Sequence, residues 1–114
     1  MFDIDDTLIF VSGESNEPVI NLLNDCRKKG LLIIIITARN SKYTEETKKQ
    51  LAEYGIEYDY LYLRQSPQDN HDMFKSDVKK RFYENGITTI MSVGDKEMDI
   101  TGPYSGLKIK LPDI

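Results

Sequence analysis

The chain has one cysteine, one histidine and no tryptophan among its 114 residues. A single thiol, Cys26, cannot form an internal disulfide, and it cannot build a cysteine-rich zinc site. No run approaches 18 apolar residues, so a membrane-spanning helix is excluded. Asp3 follows Met1 too closely for a signal peptide. Positive charge is not in excess either. Lys and Arg number 15 against 19 Asp and Glu, a net charge of −4. That balance argues against a basic nucleic-acid-binding module, although a local basic strip can still meet phosphate. There is no linker, low-complexity tract or internal repeat. Together these absences point to a soluble protein of a reducing compartment, expected in the cytoplasm, with no membrane partner.

What the chain does contain suffices for one core. Hydrophobic residues make up 39% of it, enough for a single domain spanning 1–114. Leu31 to Ile36 is an unbroken apolar run, as a strand buried on both faces requires. Before it, Val19, Ile20, Leu22, Leu23 and Cys26 recur at helical spacing, with Pro18 suited to the first turn and Gly30 to the stop. Thr44 to Tyr54 reads as a second helix ending at Gly55. Tyr58 to Leu63 reads as a strand with Tyr58, Tyr60 and Tyr62 on one face. Met73 to Asn85 reads as a third helix closed by Gly86, Thr88 to Val93 as a strand, and Leu107 to Leu111 as a short last strand. Strands separated by helices of this length predict a doubly wound α/β domain with a mostly parallel five-stranded sheet.

In such sheets ligands bind beyond the carboxyl ends of the strands. Asp3, Asp5 and Thr7 follow the first strand. Thr37, Ala38 and Arg39 follow the second, Lys75 leads into the third helix, and Gly94, Asp95 and Asp99 follow the fourth strand. Four carboxylates brought together need a compensating cation. An all-oxygen donor set without a cysteine ligand selects a hard ion, Mg²⁺ first. The lysine and the hydroxyl turn with free N–H groups suit an anionic oxygen cluster. The set as a whole describes a phosphoryl site.

The run Phe2-Asp3-Ile4-Asp5-Asp6-Thr7-Leu8 resembles the DxDxT signature of the haloacid dehalogenase (HAD) superfamily. Thr37 resembles its second motif, Lys75 its third, and Gly94-Asp95 with Asp99 its GDxxxD fourth. Leu61-Tyr62-Leu63-Arg64, Phe74-Lys75-Ser76 and Gly106 to Pro112 resemble the capless class III acid-phosphatase branch, with polynucleotide 3′-phosphatases a close second. The resemblance implies a Rossmann-like core without a cap domain and an Mg²⁺-dependent phosphomonoester hydrolase. In that reading Asp3 is the nucleophile that forms an aspartyl-phosphate, and Asp5 is the general acid and base. Thr37 and Ala38 hold the phosphoryl oxygens together with Lys75, which also offsets charge. Asp3, Asp5 (through its carbonyl), Asp95 and Asp99 are the implied metal set, Asp99 either as a ligand or as a partner of the ligands. Only Met1 and Phe2 precede Asp3, so the first strand is expected to be short. The substrate is expected to be a small phosphomonoester or an exposed phosphate end of a macromolecule, nucleic acid not being favoured. From another class, the rival is a catalytically silent phosphate-binding or regulatory domain.

Other features read as structural. An EF-hand start at Asp3 fails because Leu8 stands where glycine is needed. Lys79 is the rival of Lys75 one turn on, and spacing to Gly94 favours Lys75. Lys79, Lys80 and Arg81 read as a solvated helix face. Cys26 reads as core, and His71 as a surface residue of a polar loop running from Arg64 to Asp72.

Overall fold

A computed structural model describes residues 1–65 and 73–112, so His71 and most of the Arg64–Asp72 loop lie outside the described residues. The elements alternate as expected. Helix α1 (Glu17–Lys28) precedes strand β1 (Ile34–Asn40). A 3₁₀ turn (Ser41–Tyr43) leads into α2 (Thr44–Glu53), followed by β2 (Tyr60–Arg64) and α3 (Phe74–Glu84). Then come β3 (Met91–Gly94), the single turn α4 (Glu97–Ile100) and β4 (Leu107–Lys110).

Helix α1 forms where the pattern predicts. Val19, Ile20, Leu23 and Cys26 are its buried stripe. Glu17 in its first turn and Arg27 with Lys28 in its last complement the helix dipole. Strand β1 is buried on both faces. Ile35 packs into the larger core cluster with Leu8, Leu23, Leu51 and Val93. Ile34 and Ile36 pack on the other face against Phe74 and Val78 of α3. The alternation of side chains along the strand thus assigns α1 and α2 to one face and α3 to the other.

The five-stranded sheet needs correcting. Strands β1 and β2 form one parallel pair, and β3 and β4 another. Between the pairs lies Met1–Asp3, in which Phe2 alone forms a parallel bridge, to Ile35 on one side and Val93 on the other. Its main chain bonds both flanks. Phe2 N donates to Ile34 O (2.9 Å) and Ile36 N to Phe2 O (3.0 Å), while Asp3 N donates to Val93 O (3.1 Å) and Val93 N to Met1 O (2.9 Å). Single bridges on its two flanks join Met1–Asp3 to both pairs without a ladder of its own.

Two further readings change. Tyr58 does not share a face with Tyr60 and Tyr62, because the chain turns at Asp59, whose carboxylate accepts from Ile33 N at 2.7 Å. Tyr60 and Tyr62 pack against Phe82 and Phe74 of α3, whereas Tyr58 joins the opposite cluster. Lys79 is not part of a solvated strip. It shares the buried face of α3 with Lys75 and Val78, while Lys80 and Arg81 are exposed. No helix among the described residues is long and apolar enough to cross a membrane.

Candidate active site

The site is built at the carboxyl end of the Met1–Asp3 segment. Asp3 has its main chain fixed by β3, and beyond it the chain turns back. The Ile4 carbonyl accepts from the N–H groups of Thr7, Leu8 and Ile9 at 3.1, 2.9 and 3.1 Å. Asp6 takes the left-handed conformation this reversal needs (φ 58°), which aspartate tolerates better than most residues. Its N–H donates to Ile9 O and its carboxylate accepts from Val11 N. The reversal places Thr7 Oγ1 3.3 Å from Asp3 Oδ2 and 3.5 Å from Asp95 Oδ1.

The end of β3, the α4 turn and α3 supply the other groups. Asp3, Asp95 and Asp99 are all buried, and one carboxylate oxygen of each lies within 4.8 Å of the others. Lys75, 2% exposed, donates to Asp3 Oδ1 at 2.7 Å and to Asp99 Oδ1. Asp99 also accepts from Lys96 N through Oδ2 at 3.0 Å. Gly94 is required by this approach, since a Cβ there would lie 2.2 Å from Asp99 Cβ. Burial pushes the Asp3 carboxyl up to about 7; the Lys75 ammonium opposes the rise and the Asp99 charge adds to it. Three buried carboxylates thus crowd one contacting ammonium. An all-oxygen, negatively charged cluster of this kind fits a hard divalent cation.

The sequence places Thr37 and Ala38 just past a strand, but β1 runs on to Asn40. Its pairing with β2 jumps from Thr37–Leu63 to Asn40–Arg64, so Ala38 and Arg39 bulge from the ladder. Thr37 is fully buried, and its hydroxyl accepts from Arg39 N at 3.2 Å. Arg39 donates to both Asp5 oxygens, Nε to Oδ2 at 3.0 Å and Nη2 to Oδ1 at 2.7 Å. Its Nη1 reaches Gln50 Oε1 of α2 at 2.8 Å. The Asp5 carboxylate therefore sits on Arg39, outside the Asp3–Asp95–Asp99 group. Sequence reasoning did not assign Arg39 this partner, and its only signal was the position beside Thr37.

A family model described as HAD superfamily, subfamily IIIB (Acid phosphatase) matches residues 11–114. The chain belongs to that family. Family members are phosphatases, hydrolases of phosphoric monoesters, and the acid-phosphatase resemblance of the motifs agrees with the match. The matched residues include Thr37, Lys75, Asp95 and Asp99 but begin after the Asp3–Thr7 run. Among solved structures, a chain of "Structure of Pnkp1/Rnl/Hen1 complex" is similar with a TM-score of 0.78 and 21% identity, over 99% of this chain and 46% of that one. A chain of "Structure of the Pnkp1/Rnl/Hen1 RNA repair complex" has the same TM-score and identity, over 97% and 41%. This HAD chain thus spans less than half the length of the structures it resembles, and at this identity the likeness concerns the fold. No curated protein matches it.

Proposed function

We propose that this HAD phosphatase hydrolyses phosphomonoesters through Asp3, with Mg²⁺ held by Asp3, Asp95 and Asp99. The observation that carries the reading is the buried cluster in which Lys75 bonds two of three converging carboxylates. The ion, when bound, offsets negative charge on the transferring phosphoryl group and on the carboxylates. The motif resemblance adds the Asp5 carbonyl as a further oxygen donor.

An oxygen of Asp3 attacks phosphorus in line, the bond to the ester oxygen breaks, and Asp3 carries the phosphoryl group as an acyl phosphate. Asp5, once released from Arg39 and protonated from solvent, gives that proton to the departing oxygen. It then takes a proton from the water that attacks the acyl phosphate, which releases inorganic phosphate and restores Asp3. For either step the Asp5 carboxyl turns from Arg39 toward the phosphoryl group, and Arg39, anchored on α2, marks its resting position. Thr37 and the bulged main chain at Ala38 receive the phosphoryl oxygens, and Lys75 neutralises charge on Asp3 and on the group in transfer. The substrate in this reading is a small ester or an exposed phosphate end of a macromolecule.

A second reading narrows the substrate to a 3′-phosphorylated polynucleotide. Its support is the fold likeness to a chain of a structure described as an RNA repair complex. Mg²⁺-dependent hydrolysis of an aryl phosphate tests the first reading, with Asp3→Asn expected to lose on the order of a thousandfold or more in kcat. A folded wild-type protein with no turnover, or turnover surviving in Asp3→Asn, contradicts it. Comparing a 3′-phosphorylated oligonucleotide with a free nucleotide then separates the two readings.

A further inference from the structure

Helix α3 carries a second buried lysine for which the proposed chemistry has no use. Lys79, 1% exposed, follows Lys75 by one helical turn and lies on the same face. Its ammonium donates to the Asp99 carbonyl at 2.5 Å and to Ser105 Oγ at 3.1 Å. Ser105 Oγ in turn donates to Thr101 O at 2.6 Å, and Ser92 Oγ of β3 donates to Ser105 O at 2.7 Å. The two lysines therefore grip one residue from one helix, Lys75 by the Asp99 carboxylate and Lys79 by its carbonyl.

Burying an ammonium is costly, and among the described residues this one donates to neutral oxygens. Burial, then the charge of Lys75, lowers the Lys79 pKa to about 8. A methionine would fill similar space without that penalty, so packing alone does not account for a lysine here. The need lies in Asp99. It belongs to α4, a single turn from Glu97 to Ile100, which is too short to hold itself. Its backbone is confined from outside instead. Gly94 of β3 admits its Cβ, and Gly102 lets the following chain lie against Ser76 of α3, where a Cβ would meet Ser76 Oγ at 2.4 Å.

We propose that Lys79 is a positioning residue for the cation site, clamping the main chain at Asp99 so that its carboxylate is presented to Asp3 and Asp95. The inference rests on the Mg²⁺-dependent reading above. It makes a prediction of sign. Lys79 carries positive charge beside a cation site, so removing that charge alone would tighten cation binding, whereas removing the clamp weakens it.

Calorimetric titration of the whole chain with Mg²⁺ decides between these. Lys79→Met, with its fold checked by circular dichroism, is expected to bind Mg²⁺ about ten- to a hundredfold more weakly, the range seen when the partners that orient a metal ligand are lost. Its kcat recovers at raised Mg²⁺. Lys79→Gln, one atom shorter and still a donor, falls between, and provides the comparison if the methionine variant does not fold. Ser105→Ala loosens the same network without touching the Asp99 carbonyl, and is expected to keep its Mg²⁺ affinity within about twofold. Equal or tighter binding in the Lys79 variants overturns the inference and leaves the phosphatase reading intact. So does a loss in Ser105→Ala as large as that in Lys79→Met, which would mark general loosening. Wild-type protein that binds no Mg²⁺ overturns both.

Discussion

Arg39 holds the Asp5 carboxylate by two hydrogen bonds while its third nitrogen is tied to Gln50. A side chain fixed at both ends sets where Asp5 rests. The pair is partly open to solvent, the Asp5 side chain being 49% exposed, so it contributes about 1 kcal/mol or less to stability. Arg39→Gln is therefore expected to leave the thermal midpoint nearly unchanged and to lower kcat by about ten- to a hundredfold, within the range of acid–base catalysis. Steady-state kinetics beside a melting curve checks the split.

Leaving-group chemistry isolates Asp5 itself. A nitrophenolate departs readily without a proton, whereas an alkoxide needs one. Asp5→Asn is expected to slow an alkyl phosphate by about 10²–10⁴-fold and a nitrophenyl phosphate far less in the phosphorylation step. Pre-steady-state bursts measure that step. Equal losses on the two esters would remove Asp5 from the acid role.

The cation should stabilise the fold. At a hundredfold its dissociation constant, Mg²⁺ adds about 2.7 kcal/mol, several degrees in the thermal midpoint for a chain of this size. Asp95→Asn and Asp99→Asn are expected to lose most of this shift, and chelation to reverse it in the wild type. A midpoint indifferent to Mg²⁺ would count against the carboxylate cluster as its site.

Asp3 makes the metal-free protein sensitive to pH. Its folded carboxyl titrates near 7, against an ordinary value of 3.8, because burial disfavours the charge. A raised folded value means that this group's contribution is fully present below pH 3.8 and is lost as pH climbs through about 7. With a chelator present, Asp3→Asn should thus gain stability relative to wild type across that interval. Denaturant titrations at pH 4 and pH 8 read the difference, and a constant gap would refute the assignment.

Gly94→Ala tests the close packing behind Asp95. The added methyl would meet Asp99 Cβ at 2.2 Å, so the α4 turn has to move. A loss of about 1–3 kcal/mol is expected from overpacking. The Mg²⁺-dependent rise in the midpoint should go with it.

The helices and buried strands were legible because their patterns are local. The stripe of α1 and the isoleucines of β1 follow from spacing alone. That Asp3, Lys75, Asp95 and Asp99 come together was legible because strand ends share an edge, whereas Thr37 lies inside β1 and not past its end. The burial of Lys79 was hidden by its charged neighbours Lys80 and Arg81, although its four-residue spacing from Lys75 was the available signal. The Asp5–Arg39 pair spans 34 positions and depends on how β1 bulges after Thr37. No local pattern announces such a bulge. Tyr58 left its expected face because one carboxylate, that of Asp59, bends the chain just before β2.

The segment from Met1 to Asp3 is also a seam. On one flank stand Thr37, Ala38 and Arg39; on the other stand Asp95, Asp99 and the turn they begin. The groups proposed to receive phosphate and those proposed to hold the cation thus belong to different strand pairs, joined through main-chain bonds at Asp3 and the two residues before it. Any hinge of one pair against the other changes the spacing between the two halves of the reaction centre. In the proposed reaction, rigidity at Phe2 accordingly bears on rate as much as on stability.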